Sequence, residues 1–176
     1  MTGKRIADAG GARGWKDRAH GSAGGGMDGR RTYTRSEIDR VRLVIGSQLE
    51  AYRELTRAVR AADVGDVQPS LAEFEHLLFN TLALALDRPF VHRVRTGTGA
   101  GPSPLDELEV ICDSLLRDGV LRPGLPGYSP GSSITGLPEG EHIRLSAEQF
   151  ERLAEAVFAE LEERFAEEGP AGPPSS

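Results

Sequence analysis

The sequence predicts an all-α protein: a single four-helix bundle-like domain with a central apolar helix and a minor β-hairpin between the third and fourth helices. Three observations predict it. Four segments repeat apolar residues at helical spacing. Each of the four opens with Ser or Thr followed three residues later by an acid or Gln, the capping box in which two otherwise orphaned N–H groups are satisfied reciprocally. The chain of 176 residues has room for one ordinary domain of about 100 to 150 residues plus tails.

The capping pairs are Thr34 with Glu37, Ser70 with Glu73, Ser103 with Asp106 behind Pro104 at the first helical position, and Ser146 with Gln149. Ser47 and Glu50 match the same pattern inside the first helix, so its value lies in coinciding with the onset of periodicity. The first helix, about 34–62, sets Ile38, Val41, Ile45, Tyr52, Leu55 and Val59 on one stripe. The second, about 70–95, carries Leu77, Leu78, Phe79, Leu82, Leu84 and Leu86 around its whole circumference, which predicts a central position, with Pro89 kinking or restarting it. The third, about 104–117, turns Leu105, Leu108, Ile111, Cys112 and Leu115 inward and stops at Gly119, suited to a left-handed cap. The fourth, about 147–167, repeats Phe150, Leu153, Val157, Phe158, Leu161 and Phe165. Ser133–Leu137 and His142–Leu145, separated by Pro138-Glu139-Gly140, read as the hairpin, and 122–132 as loop. Residues 1–26 contain eight Gly without apolar periodicity, so the boundaries are a disordered arm over 1–33, a helical domain over 34–168 and a disordered tail over 169–176. Met27 is an alternative start.

Charge separates these parts. Residues 1–33 hold seven Lys/Arg against three Asp, a net of +4, and the whole chain carries −6, leaving about −10 on 34–176. That field repels a phosphate backbone, so no nucleic-acid partner is expected of the helical domain. From position 30 onward every Lys/Arg is Arg, the bias of a GC-rich genome, which lowers the weight of any one Arg as a sign of binding. The single cysteine, Cys112, excludes an internal disulfide framework and fits a reducing compartment. The longest strongly apolar uncharged run, Leu77–Leu86, is about half the length of a membrane span. No membrane partner and a cytoplasmic location follow as expectations.

From Phe74 to Leu116 the string FEHLLFNTLALALDRPFVHRVR, a Gly-rich loop, PLDELEV and a Ser-Leu-Leu resemble a family of small helical proteins from high-GC Gram-positive (actinobacterial) bacteria with no assigned activity. The resemblance extends more weakly over about 38–165. It implies a helical fold and no particular chemistry. Where that family carries Phe-Phe-Asn-Asn and a Lys-Asp-Gly-Asn loop, this chain has Leu78-Phe79-Asn80-Thr81 and Thr98-Gly99-Ala100-Gly101.

Candidate sites are few. A di-metal carboxylate centre needs two helical Glu-x-x-His motifs, and the helices contain one, Glu73 to His76, so no metal and no cofactor are expected. The Thr96–Gly101 loop imitates a phosphate cradle but follows a helix, lacks a Lys and leads into Asp106, Glu107 and Glu109, so it reads as a connector. Cys112 has no basic neighbour to lower its thiol pKa. The remaining ligand-binding candidates lie at the far end of the second helix: Asn80, Asp87, Arg88, His92 and Arg95, with Arg93 beside them. Arg88, His92 and Arg95 share one helical stripe and could take a small anion, while Asn80 and Asp87 share a neighbouring face. The reading is a non-catalytic interaction or homo-oligomerisation module, a dimer through the stripe of the first helix. The alternative is a small-ligand (anion or metal) binding protein or enzyme that uses the second-helix cluster.

Overall fold

The computed structural model describes residues 32–62, 65–90 and 103–166. Within them four α-helices follow one another: α1 (Arg35–Ala62), α2 (Gln68–Asp87), α3 (Pro104–Arg117) and α4 (Ala147–Phe165), with short 3₁₀ turns at Gly65–Val67 and Arg88–Phe90. The all-α class holds. The arm over 1–31, the Thr96–Gly101 loop and the 169–176 tail lie outside the described residues.

Three of the four capping boxes form. Thr34, Ser103 and Ser146 each accept from the backbone three residues on, and Glu37, Asp106 and Gln149 accept from the cap N–H in return. The fourth does not. α2 starts at Gln68, two residues ahead of Ser70, with Pro69 in its first turn and no side-chain cap, because Pro69 supplies a helix-ready φ and needs no N–H partner there. Glu73 is thereby released to pair with Arg144. α2 ends at Asp87, and Pro89 sits in the 3₁₀ turn after it. α3 closes on Gly119, whose φ of 73° allows its N–H to reach the carbonyl of Ser114.

One cluster of buried side chains joins all four helices. α2 and α4 each pack against the other three. Tyr52, Phe79 and Phe150 stack through it, with ring centroids 5.0 and 5.5 Å apart. The inward residues expected of α4 are all buried. On α1, Ile38, Ile45 and Tyr52 are buried, but Leu55 is 45% exposed. α2 is not surrounded: Phe79, Leu82, Ala83 and Leu86 face the core, while Phe74 and Leu77 are 45% and 62% exposed. The start of the first described segment is tied to the end of α4, since the Tyr33 N–H donates to the Phe165 carbonyl at 2.6 Å, and the Tyr33 ring meets Phe90 edge-on at 5.0 Å.

The expected hairpin is replaced by a different pairing. His142 forms an antiparallel bridge with Val120, in the corner after α3, and Leu121 and Ile143 donate to Glu141 and Gly119. Ser133–Leu137 cannot pair in its place because Gly136 is left-handed (φ 62°) and its N–H is turned back onto Ser133 Oγ. The 133–137 stretch is instead gripped by Glu107. This α3 carboxylate is 4% exposed and accepts from the Ile134 N–H (2.8 Å), the Thr135 N–H (2.9 Å) and the Thr135 hydroxyl (2.6 Å). At the other end of the connection Tyr128 is buried and donates to the Leu137 carbonyl. Gly127, at φ 85°, packs so close to Asp106 that a Cβ there would lie 3.3 Å from the Asp106 Cβ.

Removing the buried Glu107 carboxylate strands two backbone N–H groups, so Glu107→Ala should cost about 3 kcal/mol. Asp113→Ala, on the exposed side of the same helix, should stay within about 0.5 kcal/mol. Urea unfolding monitored by circular dichroism compares them, and equal midpoints would deny Glu107 this role.

Candidate functional site

Three polar side chains of α2, Glu73, His76 and Asn80, fall on one stripe at the i, i+3, i+7 spacing of a helix face. That stripe meets the extended stretch leading into α4. The Asn80 amide donates to the Ile143 carbonyl at 2.8 Å and accepts from the Leu145 N–H at 3.2 Å. One side chain thus does the work of a paired strand residue for a segment with no strand beside it on that edge. His76 Nδ1 lies 3.1 Å from the Leu145 carbonyl, a contact that requires the proton on Nδ1. Glu73 takes Arg144 with its nearer oxygen at 2.6 Å, and that hydrogen bond, with the guanidinium charge, holds the Glu73 carboxyl below the usual carboxylate range.

Glu75, one turn before Phe79, joins α1 to α4. It accepts from the Tyr52 hydroxyl at 2.5 Å and from the Ala147 N–H at 3.1 Å. Burial, then the hydrogen bond to Glu75 and its charge, push the Tyr52 phenol above its ordinary value, with Arg60 opposing weakly. Glu160, 7% exposed on α4, makes the matching joint at the other helix pair. It accepts from the Leu105 N–H at 2.9 Å, in the first turn of α3, and pairs with Arg164.

The sequence candidates are distributed rather than gathered. Asn80 has both ends of its amide bonded to backbone. Asp87 is the half-buried last residue of α2, and Arg88 is exposed at its C-cap. His92, Arg93 and Arg95 lie outside the described residues. Among the described residues no group of three or more His, Cys, Asp or Glu side chains is placed to hold a metal, and Cys112 is buried in α3. Glu75, Glu107 and Glu160 are the polar residues that the sequence reading passed over. The signal was present for Glu107, which shares a stripe with Ile111 and Ser114, and for Glu160, three residues after the inward Val157. An acid on an inward stripe needs a partner once buried.

No family model matches this chain, and no curated protein and no solved structure is significantly similar to it. No helix among the described residues is long and apolar enough to cross a membrane.

Two consequences are measurable. Asn80→Ala should lower stability by about 1 to 2 kcal/mol and speed amide exchange at Leu145 well before global unfolding; unchanged exchange there would show that the amide holds nothing. The Tyr52 pair gives a pH dependence. Because the folded state resists loss of the phenolic proton, the stability it contributes is fully present below the unfolded tyrosine value of about 10 and is lost as pH rises beyond it. Denaturation at stepped alkaline pH should show the parent chain losing stability more steeply than Tyr52→Phe, and parallel curves would count against the Tyr52–Glu75 coupling.

Proposed function

We propose that this chain is a non-catalytic interaction module, a four-helix bundle-like domain that works in the cytoplasm and associates with a second copy of itself through α2. One observation carries the reading: the described chain spends its polar residues on internal joints and leaves large apolar residues outside. Glu75, Asn80, Glu107 and Glu160 all hold backbone N–H groups. Phe74, Leu77, Thr81 and Ala85 are exposed and fall within an arc of about 80° on α2. No charged residue interrupts that arc between Ser70 and Ala85, in a chain whose net charge is −6. An uncharged apolar stripe on an acidic protein is suited to a contact that excludes water.

The stripe proposed from sequence on α1 is less suitable, since Ile38, Ile45 and Tyr52 are already buried in the chain's own core. The α2 stripe is self-complementary under a two-fold axis through Leu77 and Thr81, the symmetry of most homodimers. A single helix face is smaller than a standard interface, so the affinity should be on the order of micromolar. The resemblance of residues 74–116 to small helical actinobacterial proteins is part of the same proposal, since it takes in α2 from Phe74 onward.

Sedimentation equilibrium should give a concentration-dependent dimer, and Phe74→Asp with Leu77→Asp should weaken it by roughly tenfold or more without lowering the melting temperature. A strict monomer at high concentration removes the self-association reading. Native mass spectrometry that instead finds a small anion retained by the monomer, and lost in Arg88→Ala, would transfer the function to the far end of α2.

A further inference from the structure

Antiparallel α1 and α4 are strapped together at two levels. Arg42 pairs with Glu162 at 2.8 Å and Arg53 pairs with Glu151 at 2.9 Å. The straps stand eleven residues apart on α1, about 16 Å along the axis. Between them the helices do not close, because Gly46 and Ala159 bring almost no side chain to the seam. A Cβ built at Gly46 would meet nothing within 4 Å. The result is a groove of about 370 Å³ with an apolar floor of Ile45, Leu49, Ala154 and Phe158, of the size that holds a small ligand or one large side chain. Its walls are acidic. Glu151, Glu155 and Glu162 line it with Arg42 and Arg53, and Asp39 and Glu50 continue the same surface over α1. Five carboxylates thus share two guanidinium groups, Asp39 and Glu162 at Arg42 and Glu50 and Glu151 at Arg53, which leaves this surface three negative charges in excess.

The occupant suited to such a groove is basic and carries one large apolar side chain. Residues 1–31 of this chain have that composition: seven Lys/Arg against three Asp, and at Arg13-Gly-Trp-Lys-Asp-Arg18 the chain's single Trp, Trp15, among three of those cations. The attachment point is equally apt. The Tyr33 N–H is bonded to the Phe165 carbonyl, three residues from Glu162, so the segment joins the domain at the end of the groove. From there to Gly46 is about 20 Å along α1. The residues between Trp15 and Thr32 span up to about 56 Å when extended, which is more than enough to turn back. A second copy of the domain is a poorer occupant, since its own charge has the same sign as the walls.

We infer that the acidic α1–α4 groove is the seat of the chain's own basic segment 1–31, with the Trp15 indole in the notch at Gly46. The groove shares no lining residue with the α2 stripe, so this inference and the self-association reading stand or fall separately.

Trp15 is its own probe. In the full chain at low salt its emission should be blue-shifted and its quenching by acrylamide severalfold weaker than for free tryptophan, at every protein concentration, and high salt should reverse both. Gly46→Leu puts a side chain into the notch, where a Cβ meets nothing within 4 Å, so it should expose Trp15 while leaving the melting temperature equal or higher. A second variant, Glu155→Lys, alters only the wall and should also expose Trp15. A solvent-exposed Trp15 in the parent chain at low salt would overturn the inference. So would protection that survives both substitutions, or protection that appears only as concentration rises, which would place the segment on another copy.

Discussion

The connection between α3 and α4 is the constraint on which the rest of the structure depends. Residues 118–146 contain no helix and no strand longer than a single bridge, yet Leu121, Tyr128, Thr135, Leu137, Ile143 and Leu145 from this stretch are all buried. Buried irregular backbone must find partners for its N–H and C=O groups, or lose about 1 to 3 kcal/mol at each unpaired one. The helices supply those partners from their side chains: Glu107 from α3, and His76 and Asn80 from α2. The connection therefore behaves as a structural layer that the helices hold by their polar faces.

This explains why buried acids are tolerated. A carboxylate without partners is among the costliest groups to bury. Each of the two here is matched by donors that cannot leave: Glu107 by two N–H groups and a hydroxyl, Glu160 by an N–H in the first turn of α3 and by Arg164. The helix N-terminus adds its own partial positive charge beside Glu160. Each joint bonds a side chain of one element to the backbone of another, so it ties two elements together at a fixed point.

Legibility in the sequence followed the range of the interactions. Helix ends governed by a neighbour three residues away were readable, as at Thr34, Ser103 and Ser146, and the inward stripe of α4 was readable because its apolar residues recur at helical spacing with charged residues between them. Ser70 misled because Pro69, one residue earlier, provides a competing start. The circumference of α2 misled more seriously. Apolar residues all round a helix predict burial all round, but Phe74 and Leu77 are exposed, and nothing local distinguishes a side chain facing a neighbour from one facing solvent. The hairpin was lost to a partner about twenty residues upstream, at Gly119–Leu121, a pairing that alternation alone cannot select. Of the candidate site, Asn80 was singled out as a polar residue at the far end of the second helix. Its partners, Ile143 and Leu145, are more than sixty residues away in sequence.

α2 consequently carries three separate faces. One holds Phe79, Leu82 and Leu86 in the core. The second, through Glu73, His76 and Asn80, secures the approach to α4. The third, through Phe74, Leu77, Thr81 and Ala85, is exposed. Unlike the first two, the third face could exchange its residues for charged ones at little cost to the fold, since an exposed helix position tolerates Lys or Glu as readily as Leu. Apolar residues retained on that face are thus unexplained by the fold. The same logic applies to the α1–α4 seam, where Gly46 sits inside a long helix at a conformational cost of about 0.5 to 1 kcal/mol relative to Ala, with open space where a side chain would fit. Folding accounts for the joints, and neither the exposed α2 face nor the open space at Gly46 is one of them.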